Sequence, residues 1–347
     1  MTTPLRIAVL GMAHDHLWDN LPHLAACDQA DLVAGADANP RLRDLFCERS
    51  GCATVHEGYA ELLEAHAPDA VYAYGATAEH ADVVEMCAER GIHVLVEKPM
   101  AATLEQADRM LAAAQQAGVR LMVNWPTAWR PAWRRALALV RGGDLGRLWQ
   151  ITWRGGHSGP ELLGCSPEFC QFLFDKDLNG SGAFTDYGGY GSSLCVLLMG
   201  GSPHSVTAMA GRLVKTQFPV EDNGVMLLRY PQAICRLEMT WSEAVPHQPP
   251  HDAVLYGTEG TAVIGEQVTL HTRSEPGGRV LDCPPLPAGQ TNASEYFAAC
   301  IRAGRDPEGQ TDPQVARAAQ EIVEAGLRAA SVGMEISLPL EDHLFRA

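Results

Sequence analysis

The chain begins its first predicted strand with LRIAVLGMAHDH, residues 5–16. An apolar run that ends at a glycine is typical of a buried strand followed by a tight turn and a helix. The order recurs, with predicted strands at residues 5–10, 31–37, 70–74, 93–97 and 120–124 and predicted helices at 41–48, 59–67, 81–90 and 104–117. Apolar strands that alternate with helices predict βαβ units and a parallel sheet covered on both faces.

The pattern changes after residue 124, where most strands follow one another without helices between them. Predicted strands at 148–154, 206–214, 224–229, 234–241, 253–256, 261–264 and 268–271 surround a Gly-rich helix that starts near Gly182, and helices are predicted at 131–141, 295–302 and 315–330. We therefore predict an α/β domain with a doubly wound parallel sheet over residues 1–124. Residues 125–347 are predicted to form an α+β domain with an open, mostly antiparallel sheet.

Charge and composition narrow the possible partners. The 347 residues carry 26 Lys and Arg against 42 Asp and Glu, a net charge of −16, which is the wrong sign for binding nucleic acid or anionic lipid. No apolar stretch approaches the roughly 18–20 residues of a membrane-spanning helix. Residues 1–10 lack a signal-peptide pattern and the 10 cysteines lack metal or redox spacing, so we expect a cytoplasmic protein.

The turn after the first predicted strand contains part of a dinucleotide-binding fingerprint. Gly11, Met12, Ala13 and His14 stand where G-x-G-x-x-G would begin, and only the first glycine is kept. Gly11 permits the tight turn, and Ala13 is small enough for a pyrophosphate to approach the backbone. An ordinary strand-to-helix turn is the alternative, because His16 replaces the third glycine.

Asp37 ends the second predicted strand, at the position where an acidic side chain accepts hydrogen bonds from an adenosine ribose. This position favours NAD, because a carboxylate repels the 2′-phosphate of NADP. Arg41 follows closely and would let NADP compete. A turn aspartate before Asn39 and Pro40 is the alternative interpretation.

A third motif lies in GIHVLVEKPMA, residues 91–101, a predicted buried strand that ends in Glu97 and Lys98. A lysine at the carboxyl end of a parallel strand points into the ligand crevice of such a sheet. The Glu-Lys-Pro segment resembles the signature of the glucose-fructose oxidoreductase / inositol dehydrogenase (Gfo/Idh/MocA) family. GAFTDYGGY, residues 182–190, is similar to that family's D-x-G-x-H helix, with Tyr190 in place of histidine.

The resemblance implies a Rossmann domain followed by a domain for substrate binding and oligomerisation. It implies that His80, Glu97 and Lys98 join the first turn in binding the cofactor. It also implies a homodimer or homotetramer built through the second domain, and a cis peptide bond between Lys98 and Pro99.

Asp186 and Tyr190 are spaced i, i+4 and would share one face of a helix. Oxidation of an alcohol needs a base for the hydroxyl proton, and we assign that proton to Tyr190. Lys98 would favour the phenolate and bind the reacting oxygen, while Asp186 would hold a substrate hydroxyl or orient Lys98. The glycines within residues 188–191 predict close approach of a ligand or of the facing sheet.

Trp125, His157 and Tyr187 are the candidate substrate contacts, with packing between domains as the alternative for Trp125. No metal is predicted, because the loop histidines His247 and His251 have no third ligand in view.

These residues together predict an enzyme that transfers a hydride between NAD, with NADP possible, and a hydroxyl of a sugar, polyol or cyclic diol. A glycosidase that retains NAD and oxidises its substrate transiently is one alternative. A non-catalytic regulatory protein on the same fold is the other, because fold alone does not define function.

Overall fold

The computed structural model describes residues 3–245 and 251–340. The first domain contains a six-stranded parallel sheet with the order β3-β2-β1-β4-β5-β6. Its strands are β1 (Leu5–Leu10), β2 (Ala30–Ala36), β3 (Val55–His56), β4 (Ala70–Ala73), β5 (His93–Glu97) and β6 (Leu121–Asn124). Its helices are α1 (His16–Ala25), α2 (Pro40–Ser50), α3 (Tyr59–His66), α4 (His80–Ala88) and α5 (Leu104–Ala117).

The predicted doubly wound sheet is confirmed. Its strands are buried on both faces, which explains why they consist almost wholly of apolar residues. α5 begins where its sequence predicts, because Thr103 and Gln106 form a capping box and Gly118 ends the helix in a left-handed conformation. β3 contains only two residues and was not predicted.

The second domain forms a nine-stranded sheet with the order β14-β13-β12-β11-β7-β10-β9-β8-β15. Its strands are β7 (Leu148–Gly156), β8 (Ser205–Gly211), β9 (Asn223–Tyr230), β10 (Ala233–Thr240), β11 (His251–Gly257), β12 (Gly260–Gly265), β13 (Val268–Thr272), β14 (Arg279–Leu281) and β15 (Ile336–Ser337). Its helices are α6 (Pro131–Gly142), α7 (Pro160–Leu163), α8 (Pro167–Leu173), α9 (Lys176–Asn179), α10 (Ala183–Met199), α11 (Ala293–Ala303) and α12 (Pro313–Val332).

The sheet is mostly antiparallel, as predicted, but β7 and β10 pair in parallel. The carboxyl ends of these two strands therefore lie at the same edge. Alternation along β9 buries Met226 and Leu228 under α10 and α12 and leaves Val225 and Leu227 on the outer face.

The glycines of α10 are explained by close packing. A Cβ at Gly189 would stand 2.6 Å from the Trp125 ring, and a Cβ at Gly191 would stand 2.7 Å from the Trp153 ring. Of the two predicted reasons for these glycines, approach of the facing sheet holds for Gly191, because Trp153 lies in β7. Gly189 is instead covered by Trp125, which follows β6.

The chain passes between the two domains more than once. β6 ends at Asn124, where the sequence places the boundary, yet α11 returns to the first domain and packs against α1. Phe297 of α11 lies with its ring 6.2 Å from the ring of Tyr72 in β4. The residues after 124 therefore complete the core of the first domain as well as forming the second.

The peptide bond between Lys98 and Pro99 is cis, as the resemblance implied. The cysteines are free thiols. Within the part of the chain that the structure describes, no helix combines the length and apolar character needed to cross a bilayer.

Candidate active site

The carboxyl ends of β5 and β10 meet the first turn of α10 at a buried ion pair. Lys98, just after β5, donates a hydrogen bond of 2.6 Å from Nζ to Oδ1 of Asp186. The two side chains are only 5% and 6% exposed. The structure thus brings together two predicted catalytic residues that come from different domains.

The ion pair keeps both groups charged. Burial alone would lower the pKa of Lys98 and raise the pKa of Asp186. The attraction between the two charges and their hydrogen bond outweigh burial, so the pKa of Lys98 is raised and the pKa of Asp186 is lowered. An ammonium group has three hydrogens, and Asp186 takes one of them. The other two can point at a substrate oxygen.

Trp241 is a site residue that the sequence analysis missed. It follows β10, is fully buried, and donates a hydrogen bond of 3.0 Å from Nε1 to Oδ2 of Asp186. Each carboxylate oxygen of Asp186 thus has its own donor from the protein. Of the two roles predicted for Asp186, this geometry favours the orientation of Lys98 over the binding of a substrate hydroxyl.

Tyr190 lies one helical turn after Asp186, but the expected activation of its phenol by Lys98 is wrong. Nζ of Lys98 lies 5.2 Å from the centroid of the Tyr190 ring and so contacts the ring itself. Burial, and after it the charges of Asp186 and Glu97, raise the pKa of Tyr190 well above its usual value. Such a phenol stays protonated at neutral pH and is a proton donor there.

Tyr187 and His157 extend the site as an aromatic cluster. The Tyr187 ring stacks on that of Tyr190 at 5.8 Å and meets the ring of His157 edge-on at 5.3 Å. The His157 ring in turn lies parallel to that of Trp241 at 6.4 Å. Two of the three predicted substrate contacts therefore adjoin the ion pair.

Trp125, the third predicted substrate contact, is placed differently. Its side chain is 1% exposed, and its ring lies 5.0 Å from that of Tyr190 in an edge-on arrangement. It also covers Gly189 of α10. These contacts favour a packing role beneath Tyr190.

The turn after β1 and the end of β2 form the predicted cofactor end of the cleft. Gly11 has φ +73°, and a Cβ there would stand 2.4 Å from the backbone nitrogen of Gly75, so the turn tolerates only glycine. Asp37 accepts 2.7 Å hydrogen bonds from the backbone N–H groups of Met12 and Asn39, one at each carboxylate oxygen. Each oxygen keeps a lone pair for a ribose hydroxyl.

Glu97 has a supporting position. It is fully buried, with Oε1 2.8 Å from Nδ1 of His16 and Oε2 accepting from Asn124 at 2.8 Å. Because both oxygens already have partners, Glu97 ties α1 to β5 and β6. His16 thereby gains a role at the position where a third glycine would stand.

His14, His16 and Glu97 also place one potential metal ligand atom each within 4.8 Å of the others. Nδ1 of His14 accepts a hydrogen bond from the backbone N–H of His16, and His16 pairs with Glu97. Hydrogen bonding thus already accounts for this cluster, and we assign no metal to it. His247 lies outside the described residues, and so does the side chain of His251.

Helix α8 and the residue before it lie over the predicted cofactor turn. The backbone N–H of Ser166 donates to Oδ2 of Asp15 at 2.7 Å, and the Phe169 ring lies 4.5 Å from that of His14. Burial, followed by the charges of His16 and Lys98, lowers the pKa of His14, which is therefore neutral. Ala13 packs against the same apolar cluster as Phe169.

His80 lies beside the segment that carries Lys98. Its Nδ1 donates to the carbonyl oxygen of Met100 at 3.1 Å, and its buried Nε2 has no partner among the described residues. Burial lowers the pKa of His80 to about 4. A direct contact between His80 and a cofactor stays a prediction.

The chemistry of the residues at both ends of this site suits a dinucleotide cofactor. The lone pairs of Asp37 that the backbone does not use suit the hydroxyls of the adenosine ribose. Lys98 lies at the opposite end, beside Asp186 and Tyr190. Between them, α1 begins at His16, so the positive end of its helix dipole lies at the turn.

Two family models match most of the chain. Residues 5–125 match the model described as "Oxidoreductase family, NAD-binding Rossmann fold", and residues 133–263 match the model described as "GFO/IDH/MocA C-terminal domain". The fold and the site define an oxidoreductase that binds a nicotinamide dinucleotide. The chain belongs to the Gfo/Idh/MocA family.

Curated relatives include sugar dehydrogenases and reductases. The chain is 27% identical over 335 residues to dTDP-3,4-didehydro-2,6-dideoxy-alpha-D-glucose 3-reductase of Streptomyces antibioticus, covering 94% of this chain and 98% of that protein. It is 28% identical over 267 residues to D-xylose 1-dehydrogenase [NADP(+)] of Haloarcula marismortui, covering 74% and 71%.

Solved structures of similar fold include an oxidoreductase from Agrobacterium radiobacter in complex with NAD+, L-tartaric acid and magnesium. It has a TM-score of 0.82 and 18% identity, and the match covers 96% of this chain and 98% of that chain. Levoglucosan dehydrogenase in complex with NADH and levoglucosan has a TM-score of 0.81 and 19% identity, with coverage of 97% and 100%.

Proposed function

We propose that the protein interconverts a hydroxyl and a carbonyl group on a sugar, polyol or cyclic diol, with NAD as the favoured cofactor. The observation that carries this proposal is the buried ion pair between Lys98 and Asp186, which Trp241 completes at the second oxygen. A buried pair of this kind needs a function, because desolvation makes it a poor source of stability.

Each residue has a distinct part in the proposed reaction. A bound nicotinamide supplies or accepts the hydride. Lys98 donates a hydrogen bond to the reacting oxygen, and Asp186 keeps the ammonium charged and aimed. During reduction the neutral phenol of Tyr190 gives its proton to that oxygen, and the phenolate that remains is reprotonated from solvent. Oxidation is the reverse, with the phenolate taking the hydroxyl proton.

The substrate class follows from the surroundings of the ion pair. Tyr187 offers a hydroxyl beside the aromatic faces of Tyr190 and His157, and this combination suits a polyhydroxylated ring. The names of the relatives support the same class, because they include D-xylose 1-dehydrogenase and D-apiose dehydrogenase.

A two-stage experiment tests the function. Cofactor-stripped protein is first titrated with NAD+, NADH, NADP+ and NADPH in a thermal-shift assay, where a ligand at 100 times its Kd adds about 2.7 kcal/mol. Aldoses, polyols and cyclic diols are then screened for a change in nicotinamide absorbance. Substrate turnover without accumulation of free NADH would instead favour the glycosidase, and failure of all four nucleotides to bind would reject the proposal.

We also propose that the protein is a homodimer or homotetramer assembled through the outer face of the nine-stranded sheet. This face exposes large apolar side chains, with Trp149 44%, Leu227 44% and Ile234 52% exposed. Neighbouring apolar residues on an exposed sheet face are typical of a protein interface.

A further inference from the structure

A charged contact between the domains lies at the adenosine-ribose end of the cleft. Arg41 is in the first turn of α2, and Glu168 is in the first turn of α8. Nε of Arg41 donates to Oε1 of Glu168 at 2.8 Å, and its NH2 group donates to Oε2. Asn39 adds a hydrogen bond of 3.3 Å to Oε1. The pair is therefore bidentate, the strongest geometry that arginine and a carboxylate form.

The only use predicted for Arg41 was to accommodate the 2′-phosphate of NADP. A guanidinium group binds a phosphate through the same forked donors that it offers to a carboxylate. In this structure Glu168 already occupies that fork. The pKa of Glu168 is lowered, first by its hydrogen bond to Arg41, so the carboxylate is charged and competes fully at neutral pH.

A second arginine at this end is partly engaged. NH1 of Arg43 donates to the carbonyl oxygens of Asp37 and Ala38, at 2.6 and 3.0 Å, so this nitrogen is held by the backbone. Burial, and after it the charge of Glu168, raises the pKa of Asp37. Burial, and after it the charge of Asp37, raises the pKa of Glu79. The ribose end is thus surrounded by three carboxylates.

We infer that Glu168 is a determinant of cofactor specificity that acts from the second domain. Because Glu168 binds the guanidinium of Arg41, that group cannot bind the 2′-phosphate of NADP. Glu168 and Asp37 together therefore select NAD over NADP. This inference rests on the proposed function, because it presumes that the cleft binds a nicotinamide dinucleotide.

The test measures binding rather than activity. Cofactor-stripped wild-type protein and the variants Glu168→Gln, Glu168→Ala, Arg41→Ala and Glu168→Gln/Arg41→Ala are titrated with NAD+ and NADP+ by calorimetry. A second pair of probes, 5′-AMP and adenosine 2′,5′-bisphosphate, reports on the adenosine end alone. Glu85→Gln is the matched control, because it removes one negative charge from a pair with Arg109 on the surface of α4 and α5.

Glu168→Gln and Glu168→Ala should tighten NADP+ binding about tenfold, equivalent to 1.4 kcal/mol, and leave NAD+ binding within about twofold of the wild-type value. Arg41→Ala in the Glu168→Gln background should remove the gain, and Glu85→Gln should show none. Two variants at position 168 are used so that the test still holds if one of them does not fold.

Three results would overturn the inference: preference of the wild type for NADP+, an unchanged ratio of the two affinities in both Glu168 variants, or an equal gain in Glu85→Gln. These outcomes differ from failure of the proposed function, in which the wild type would bind neither nucleotide.

Discussion

The indole nitrogen of Trp241 donates a 3.0 Å hydrogen bond to Oδ2 of Asp186. This contact holds the carboxylate plane while Oδ1 accepts from Lys98. Two strands from different domains and one helix are therefore joined at a single buried side chain, and the orientation of Lys98 depends on a residue that has no charge.

The first prediction concerns Trp241→Phe, which keeps an aromatic ring but removes the N–H donor. An unsatisfied oxygen on a buried carboxylate costs about 1–3 kcal/mol, and misorientation of Lys98 should lower kcat by about tenfold. KM should change less than about twofold, because Trp241 acts through Asp186. Trp133→Phe is the control, because the buried indole N–H of Trp133 makes no hydrogen bond among the described residues. A wild-type kcat for Trp241→Phe would exclude the positioning role.

The second prediction concerns the ion pair itself. Lys98→Met leaves a buried carboxylate without its counter-ion and should lower the free energy of unfolding by about 3–5 kcal/mol. The double variant Lys98→Met/Asp186→Asn should recover most of that loss in a denaturation experiment, yet both variants should lose at least about a hundredfold in kcat. Recovery of activity in the double variant would contradict the catalytic role of the pair.

The pH dependence of the ion pair follows from the directions of the two shifts. The lowered pKa of Asp186 means that its stabilising effect is present at neutral pH and is lost as pH falls through that pKa. The raised pKa of Lys98 means that its effect is lost only as pH rises through that higher pKa. The gap in unfolding free energy between the wild type and the double variant should therefore stay constant around neutral pH.

The third prediction separates the two phenols. Tyr190→Phe should lower kcat by about a hundredfold or more if its hydroxyl transfers the proton. Tyr187→Phe should chiefly raise KM, because the proposed function assigns its hydroxyl to substrate binding. The two variants remove the same atom from neighbouring stacked rings, so each is the control for the other. The reverse pattern in steady-state kinetics would assign the proton to Tyr187.

The fourth prediction concerns stability in mild acid. The pKa of His80 is about 4 in the folded protein, because of burial, against about 6.5 in an unfolded chain. The unfolded state therefore binds more protons between these values, and His80 alone should lower stability by about 3 kcal/mol as pH drops from about 6.5 to 4. His14, whose pKa burial also lowers, adds to this fall. His80→Gln should therefore reduce the slope in denaturation curves without removing it, whereas His23→Gln, on the exposed face of α1, should leave it unchanged. An unchanged slope in His80→Gln would show that His80 does not cause the acid sensitivity.

The fifth prediction tests the outer sheet face. Ile234→Glu replaces one of the exposed apolar side chains of this sheet face with a charge, and it should shift sedimentation toward the monomer. Val332→Glu, which changes a residue of comparable exposure at the end of α12, is the control. A wild-type sedimentation profile for Ile234→Glu would place the interface elsewhere, and a monomeric wild type would reject the proposed assembly.

The sequence predicted the first domain well because its signals are local. Strand β5 and helix α5 begin and end at the predicted residues, since an apolar run, a capping box and a terminal glycine each act within a few residues of one another. Lys98, Asp186 and Tyr190 were found for the same reason, because each lies in a short recognisable segment.

The environments of these residues were harder to predict. The pKa of Tyr190 is raised mainly by burial, and the position of Lys98 over its ring depends on where α10 lies relative to the end of β5. The expectation of an activated phenolate failed because a residue pattern carries no information on desolvation.

The sequence by itself determined the α/β and α+β architecture and the tight turn at Gly11, and it singled out Lys98 and Asp186, the two residues of the central ion pair. Only the tertiary structure decided that Trp241 holds Asp186 and that Glu168 holds Arg41. The first two residues are 55 positions apart in the sequence, and the second two are 127 positions apart. The physical reason is the distance along the chain over which each interaction acts. Capping, turns and hydrophobic periodicity act between near neighbours in the chain, whereas the parallel pairing of β7 with β10 and the placement of α8 over the first domain arise only when the two domains pack together.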